Sequence, residues 1–246
     1  MDGKLQTTSV VDAVEDGLRQ RILTGAEEPG ATVTEVAVAE HFRVGRPTAK
    51  AAVDRLVTDG LLVRDGRRGC VVPTVGPADI TDLYESRLLV ESFVHSRLAG
   101  RRTAPAAAQL ANAGLRHAAT VGDATLVVSA DVEFHLALVR ADGSPRLRRM
   151  HSTLMAEAHF CMARVQANQL LRAEVIADEH AEILRLIDAG DVEGAAAATA
   201  AHLHQARDKL LASMTATAPA DTTTPWHAAE SDLDSANHIS ELLSRI

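Results

Sequence analysis

The most constraining feature of this chain is a continuous series of helical segments that occupies residues 79 to 214. Apolar residues recur there at three- and four-residue spacing, which is typical of amphipathic helices. Glycine- or proline-containing breaks divide the series into predicted helices at 79–100, 106–121, 124–141, 145–166, 168–189 and 191–214. Only 2% of the residues are aromatic, which favours helix packing over an aromatic-rich β-sandwich. The sequence therefore predicts a mostly α protein whose C-terminal part is an all-α six-helix bundle.

The N-terminal part has a different pattern. Helical periodicity predicts a first helix at 10–24, a second that begins after Thr34, and a third that begins at Pro47. Thr32 and Glu35 have the spacing of a capping box for the second helix. The β-prone runs LLVR and GCVV follow, separated by a turn that contains Gly66, and predict a hairpin. Three helices and a hairpin wing predict a winged helix-turn-helix.

These patterns divide the chain into four parts. We expect the winged helix-turn-helix at 1–73, a linker at 74–78, the helical domain at 79–214 and a flexible tail at 215–246. The end of the tail, at 235–246, has the pattern of one short amphipathic helix. We predict no function for the tail.

Charge points to one specific partner. A net charge of −8 argues against a protein that coats nucleic acid indiscriminately, but residues 43–68 carry seven basic and three acidic side chains, a local charge of +4. Arg46 and Lys50 lie four apart on the third helix, on the side that can reach a major groove. Arg67 and Arg68 lie at the wing tip, where they can contact phosphates or a minor groove. The alternative is a solvated basic face without a DNA contact.

The segment from Leu18 to Val72 resembles the winged-helix domain of GntR-type regulators, in its PG loop, its turn before an Arg, its Leu-x-x-x-Gly-Leu motif and its glycine-containing wing. This resemblance implies that Arg46, Thr48 and Lys50 contact operator DNA, with Arg68 and Gly69 in the wing. The family's usual Arg is replaced here by Lys50, which cannot form a bidentate fork, so the preferred operator sequence stays open.

A second set of residues has metal-ligand spacing. Asp131 and His135 lie one turn apart on one predicted helix. His180 and His202 lie ten residues before and twelve residues after Gly190, so an antiparallel turn there brings them to the same level of the bundle. One Asp and three inward-facing His predict a site for zinc, nickel or manganese. The alternative is a set of hydrogen-bonded core histidines.

Residues 79–212 resemble the FCD ligand-binding domain of the FadR subfamily, in which the motifs D-x-x-F-H, E-H-x-x-I-L and A-x-x-x-H-L recur. The resemblance implies that Asp131, His135, His180 and His202 bind a divalent metal, with zinc favoured. It also implies that Arg87 pairs with the carboxylate of an effector. The alternative for Arg87 is an intrahelical ion pair with Glu91.

Together these patterns predict a homodimeric, DNA-binding repressor in which a small organic acid, bound at the metal site, controls affinity for double-stranded operator DNA. A metal-dependent hydrolase and a sensor of the metal itself are the alternatives. For a hydrolase the sequence offers no clear general base, because Glu133 is predicted to point away from the site and Glu179, beside His180, to lie about a quarter-turn off it. No secretion signal or run of about 20 apolar residues is found, so we expect a cytoplasmic protein without a membrane partner.

Overall fold

The computed structural model of this chain describes residues 9–66, 69–166 and 172–215. The helices and strands in these residues are α1 (Val10–Leu23), β1 (Thr32–Val33), α2 (Glu35–Phe42), α3 (Arg46–Thr58), β2 (Val63–Arg64), β3 (Cys70–Val71), α4 (Pro77–Arg101), α5 (Ala106–Val121), α6 (Ala124–Asp142), α7 (Pro145–Gln166), α8 (Ala173–Ala189) and α9 (Val192–Thr215). The first three helices and the small sheet form a winged helix-turn-helix, and α4 to α9 form a helical bundle. The predicted fold class is confirmed.

The winged helix is built on a small apolar core between α1 and α3. Ser9 and Asp12 form a capping box that starts α1, and Leu18 and Ile22 of this helix are buried. On α3, Val53 and Leu56 are buried in the same cluster. The apolar spacing that predicted these helices therefore also determines how they pack.

The wing contains one strand more than the predicted hairpin. The sheet is antiparallel, in the order β1-β3-β2, and Val71 of β3 faces Thr32 of β1 and Val63 of β2. Because Thr32 lies in β1, the predicted capping box of Thr32 and Glu35 is wrong. Thr34 caps α2 instead, since its Oγ1 accepts a hydrogen bond from the Ala37 N–H at 3.1 Å. A two-residue strand is too short to leave a periodic signal in the sequence.

The helix boundaries also differ from prediction at the start of the bundle. Helix α4 begins at Pro77, two residues earlier than predicted, so Pro77 and Ala78 are helical and not linker. The Gly76 N–H donates to Asp79 Oδ2 at 2.7 Å, and proline at the first helical position needs no hydrogen-bond acceptor for a backbone N–H. The helix predicted from residue 168 begins only at Ala173, because Arg172 is extended and precedes its first turn. Residues 167–171, the tail beyond residue 215, and Arg67 and Arg68 lie outside the described residues. The four-part domain division stays a prediction.

Helix α4 lies at the centre of the bundle, where it packs along α9 and contacts α6, α7 and α8. Its buried face is unusual, because Arg87, Glu91 and His95 are fully buried there among apolar side chains. Buried charged groups are stable only when they are paired or bind an ion, so this face marks a polar interior. Among the described residues, no helix combines the length and apolar character required to cross a bilayer.

Candidate functional site

The predicted metal ligands meet in the interior of the bundle. Asp131 and His135 come from α6, His180 from α8 and His202 from α9, and all four are buried. One ligand atom of each lies within 4.8 Å of those of the other three. The antiparallel turn at Gly190 brings the His180 and His202 rings to 4.8 Å between centroids, as the spacing predicted.

Two of these histidines are oriented by glutamates outside the cluster. His135 Nδ1 lies 2.7 Å from Glu91 Oε2, and His202 Nδ1 lies 2.7 Å from Glu179 Oε2. Since an ionised carboxylate only accepts hydrogen bonds, each Nδ1 carries the proton. In the neutral form of each ring, Nε2 is then the unprotonated nitrogen, and the two Nε2 atoms lie 3.2 Å apart. This is how carboxylates usually orient metal-binding histidines.

His180 is held in place by packing. Its ring stacks on Phe134 with centroids 3.6 Å apart and planes 6° from parallel. Neither ring nitrogen has a hydrogen-bond partner among the described residues, and Nε2 lies 3.5 Å from Asp131 Oδ1. A buried nitrogen without a partner is costly. The donor set of three imidazoles and a carboxylate therefore fits a divalent cation.

Burial also sets the protonation of these rings. It lowers the pKa of His180 well below its usual range, with the neighbouring His202 acting in the same direction. The pKa of His135 is lowered as well, again mainly by burial. Both rings are neutral near pH 7, and neutral imidazole is the form that binds metal ions.

Arg87 and Glu91 form a buried ion pair beside the cluster. Arg87 Nε donates to Glu91 Oε1 at 2.9 Å, and His151 Nε2 lies 3.1 Å from the same oxygen. Although burial opposes ionisation, Arg87 and His135 hold the pKa of Glu91 well below its usual range. The Glu91 carboxylate therefore stays charged while three N–H groups donate to it.

A narrow cleft opens next to this pair and the metal-ligand cluster. Tyr84, Arg87, Asp131, Glu179, His202 and Gln205 are among its lining residues. Arg87 Nη2 and Tyr84 Oη are both buried without a hydrogen-bond partner in the described part of the chain. A guanidinium donor and a hydroxyl next to a metal-ligand cluster are suited to a carboxylate. Arg87 thus makes the ion pair that was the alternative prediction, and it lines the cleft while its Nη2 has no hydrogen-bond partner among the described residues.

The sequence analysis missed part of this arrangement. Glu179 was predicted to lie about a quarter-turn off the site, but it lines the cleft and its carboxylate accepts from His202. Glu91 was considered only as a partner of Arg87. The signal that identifies it is an acidic residue on the buried face of α4, where a charge needs more than one partner. Glu133 does point away, toward Arg140 on the surface.

The remaining histidines divide by burial. His151 is fully buried against Glu91, and His204 is exposed on α9. His159 is half-buried, and burial together with the nearby Arg19 lowers its pKa. Of these three histidines, only His151 contacts Glu91.

The predicted DNA-binding residues lie on the outer side of α3. Arg46 and Lys50 are exposed and Thr48 is half-buried, whereas Val53 and Leu56 face the core. Lys50 Nζ lies 3.0 Å from Asp54 Oδ2 and 3.7 Å from Glu35 Oε1. Asp54 also pairs with Arg64 of β2. Lys50 therefore has acidic partners on the protein itself, which a DNA phosphate would have to replace.

Arg55 is one of the seven basic residues between positions 43 and 68, but it pairs with acidic residues of another helix. Arg55 Nη1 contacts Asp12 at 2.7 Å and Glu15 at 3.0 Å, so it joins α3 to α1.

Gly69 of the wing has φ of +106°, and a Cβ there would lie 3.1 Å from the Val33 carbonyl oxygen. Glycine at this position is thus required by the fold of the wing, whatever it contacts.

Comparison with protein families gives two matches. Residues 10–72 match the model for bacterial regulatory proteins of the gntR family, and residues 82–205 match the FCD domain. The two matches coincide with the winged helix-turn-helix and the helical bundle described above.

Individual relatives agree with this result. The chain is 31% identical to the gluconate operon transcriptional repressor of Bacillus subtilis, over 50% of this chain and 51% of the repressor. An HTH-type transcriptional regulator of Agrobacterium vitis is 32% identical over 36% of this chain and 52% of its own. The chain thus spans about half the length of these two relatives. The regulator LutR of Bacillus subtilis is 26% identical over 77% of this chain and 95% of its own.

Solved structures share the fold. A GntR transcriptional regulator from Rhodococcus sp. RHA1 superimposes with a TM-score of 0.70 at 26% identity, over 82% of this chain and 97% of that one. Escherichia coli McbR/YncC gives a TM-score of 0.70 at 23% identity, over 83% and 98% of the two chains. The matched gntR family and the gluconate operon repressor are transcriptional regulators and not enzymes. This chain belongs to the GntR family of DNA-binding transcriptional regulators and carries an FCD domain after its winged helix-turn-helix.

Proposed function

We propose that this regulator is a homodimeric repressor that releases operator DNA when a small organic acid binds beside a divalent metal ion in the cleft of the bundle. The observation that carries the proposal is the position of Arg87. Its Nη2 is a buried, unpartnered cationic donor, and it lines the same cleft as the ligand candidates Asp131 and His202.

Asp131, His135, His180 and His202 hold the metal in this proposal. Three neutral imidazoles and one carboxylate suit zinc, and they also accept nickel or manganese. When bound, the ion would supply positive charge and coordination positions for an anionic ligand. Glu91 and Glu179 support it from outside by orienting two of the imidazoles.

Arg87 and Tyr84 receive the acid. A carboxylate accepts hydrogen bonds readily from a guanidinium, and a buried hydroxyl without a partner gains by donating to a ligand. The cleft is narrow, which restricts the ligand to a small molecule. The name of the related gluconate operon repressor makes gluconate the first acid to test.

DNA recognition is assigned to the winged helix. Arg46, Thr48 and Lys50 contact the operator from α3, and Arg67, Arg68 and Gly69 contact it from the wing. The protein acts in the cytoplasm, where two chains pair through the helical domain. This pairing sets the two α3 helices about one DNA turn apart. Exposed apolar side chains on α4, Leu89 and Phe93, support pairing through that helix.

The acid acts through differential affinity. It shifts the operator affinity only to the extent that it binds better to one arrangement of the two domains than to the other. The α7 helix packs against α1 of the winged helix, so a change in the bundle has a direct contact through which to reach the DNA-binding domain.

The test combines metal analysis of the purified full-length protein with a gel-shift assay on its own upstream DNA, with and without gluconate and other small organic acids. We expect about one zinc per chain, loss of that zinc in His180→Ala, and acid-dependent release of DNA by the wild type alone. Release on chelation with no effect of any acid would instead favour a sensor of the metal itself. A wild-type protein without metal whose DNA binding ignores every acid would overturn the effector half of the proposal and leave the DNA-binding half intact.

A further inference from the structure

We propose that Glu91 is a positioning residue shared by two parts of the cleft, because its single carboxylate orients both the effector-binding Arg87 and the metal ligand His135. The inference deepens the proposed function and rests on it. One buried side chain would thereby set the position of the acid-binding guanidinium relative to the metal ligands.

The two oxygens of Glu91 have different partners. Oε1 accepts from Arg87 Nε at 2.9 Å and lies 3.1 Å from His151 Nε2, whereas Oε2 lies 2.7 Å from His135 Nδ1. Glu91 and these three partners are all at most 1% exposed. No solvent can replace a lost partner, so the orientation of each neighbour depends on this carboxylate.

The hydrogen bond from Arg87 Nε to Glu91 Oε1 determines which N–H groups of Arg87 remain available to a ligand. With Nε bound to Glu91, the guanidinium plane is fixed, and Nη2 of this cleft-lining residue remains without a partner among the described residues. The ring of Tyr84 stabilises the same orientation, since the guanidinium carbon lies 4.8 Å from its centroid.

On the side of Oε2, the contact determines the tautomer of His135. A proton on Nδ1 leaves Nε2 unprotonated, and Nε2 is the atom that faces His202 at 3.2 Å. With the opposite tautomer, a proton on Nε2 would point into the cluster and block metal binding.

The variant Glu91→Gln tests the two roles of the carboxylate, because it changes the charge and the hydrogen-bonding pattern of residue 91 but hardly its size or shape. An amide has one acceptor oxygen and an NH2 group that only donates. Whichever way it turns, its NH2 faces an N–H donor, either that of His135 or those of Arg87 and His151. Glu91→Gln must therefore disturb at least one side, whereas Glu179→Gln removes a partner of His202 that has no contact with Arg87.

The experiment uses the full chain, loaded with Co²⁺ alone for affinity and visible spectra and with Zn²⁺ alone for nitrogen NMR of histidine and arginine side chains. We expect Glu91→Gln to weaken Co²⁺ binding by about 10- to 100-fold, to change the visible spectrum and to move the Arg87 Nε–H signal. Glu179→Gln should weaken Co²⁺ binding in the same range and leave the Arg87 signal unchanged.

Two results would overturn the inference: wild-type Co²⁺ affinity and spectrum in Glu91→Gln, or an Arg87 signal that does not distinguish Glu91→Gln from Glu179→Gln. If Glu91→Gln does not fold, the wild type still decides, because the inference requires a His135 proton on Nδ1, and a proton on Nε2 refutes it. A wild type that binds neither Co²⁺ nor Zn²⁺ would refute the metal site of the proposed function. The His135 and Arg87 signals of the metal-free chain would then decide the role of Glu91 separately.

Discussion

The Nε2 atoms of His135 and His202 lie 3.2 Å apart, although the Nδ1 atom of each ring is already hydrogen-bonded to a glutamate. When both rings are neutral with the proton on Nδ1, two nitrogen lone pairs face each other inside the protein. This arrangement is unfavourable unless a positive charge lies between or beside them. The two glutamates thus leave both Nε2 atoms available to a cation.

Zinc should stabilise the folded protein through His180. At a free zinc concentration of about 100 times Kd, the free energy of unfolding rises by about 2.7 kcal/mol. We expect this gain in the wild type and its loss in His180→Leu, measured as the urea midpoint with zinc and with a chelator. His204→Ala is the matched control, since His204 is exposed. An equal zinc effect in all three proteins would show that the ion binds elsewhere.

Without metal, the protein should lose stability as the pH falls below about 6.5. Burial lowers the pKa of His95 to about 3, from 6.5 in an unfolded chain. Between these values the unfolded state binds one proton more, so the free energy of unfolding falls by about 1.4 kcal/mol per pH unit for this residue. The lowered pKa values of His135 and His180 add to the slope in the same direction.

His95→Gln isolates the share of one histidine. Urea unfolding in chelator at several values between about pH 6 and pH 5 should give a shallower slope than the wild type, by about one proton. His95 Nδ1 lies 2.7 Å from Thr199 Oγ1, and glutamine keeps a polar group near that hydroxyl. An unchanged slope would mean that His95 is charged or water-exposed in the folded state.

Tyr84→Phe should separate ligand binding from stability. Tyr84 Oη is buried and has no hydrogen-bond partner among the described residues, so its removal relieves a penalty of about 1–3 kcal/mol in the free protein. If the hydroxyl donates to the acid, the same change weakens acid-dependent release of DNA. We expect a higher urea midpoint together with a higher acid concentration for half release. A lower midpoint would show that the hydroxyl has a partner in solution.

Arg46 and Arg55 make a matched pair for the DNA surface. Both lie on α3 and are exposed, but Arg55 pairs with Asp12 and Glu15 of α1. Arg46→Ala should weaken operator binding by about 1–3 kcal/mol if Arg46 reads a base, or lower the salt slope by about one if it contacts a phosphate. Arg55→Ala should leave the salt slope unchanged. Fluorescence anisotropy across a salt series measures both, and an Arg46→Ala variant that matches Arg55→Ala in both operator affinity and salt slope would refute the assignment.

Leu89 and Leu110 test the proposed dimer surface. They are 76% and 75% exposed, on α4 and α5 respectively. Sedimentation velocity should show that Leu89→Asp dissociates the dimer, because it places a charge in an apolar contact, while Leu110→Asp stays dimeric. Dissociation by Leu110→Asp alone would move the interface to α5.

Much of the fold could be predicted from periodicity alone. Amphipathic spacing and glycine or proline breaks gave six bundle helices, and most of their ends fall within one or two residues of those observed. The spacing of Asp131 and His135, and of His180 and His202 about Gly190, likewise predicted which side chains meet. These relations are local, or cross one short turn, and so depend on few unknown distances.

Only the tertiary structure decided which distant elements are in contact. The strand β1 forms because β3 returns beside it. Arg55 turns to α1, and Glu91 on α4 meets His135 on α6 and His151 on α7. The sequence by itself determined which residues share a helix face, because backbone geometry fixes that face. Which charges pair across helices depends on how the helices pack, since a buried charge must find its partner among whatever side chains packing brings near.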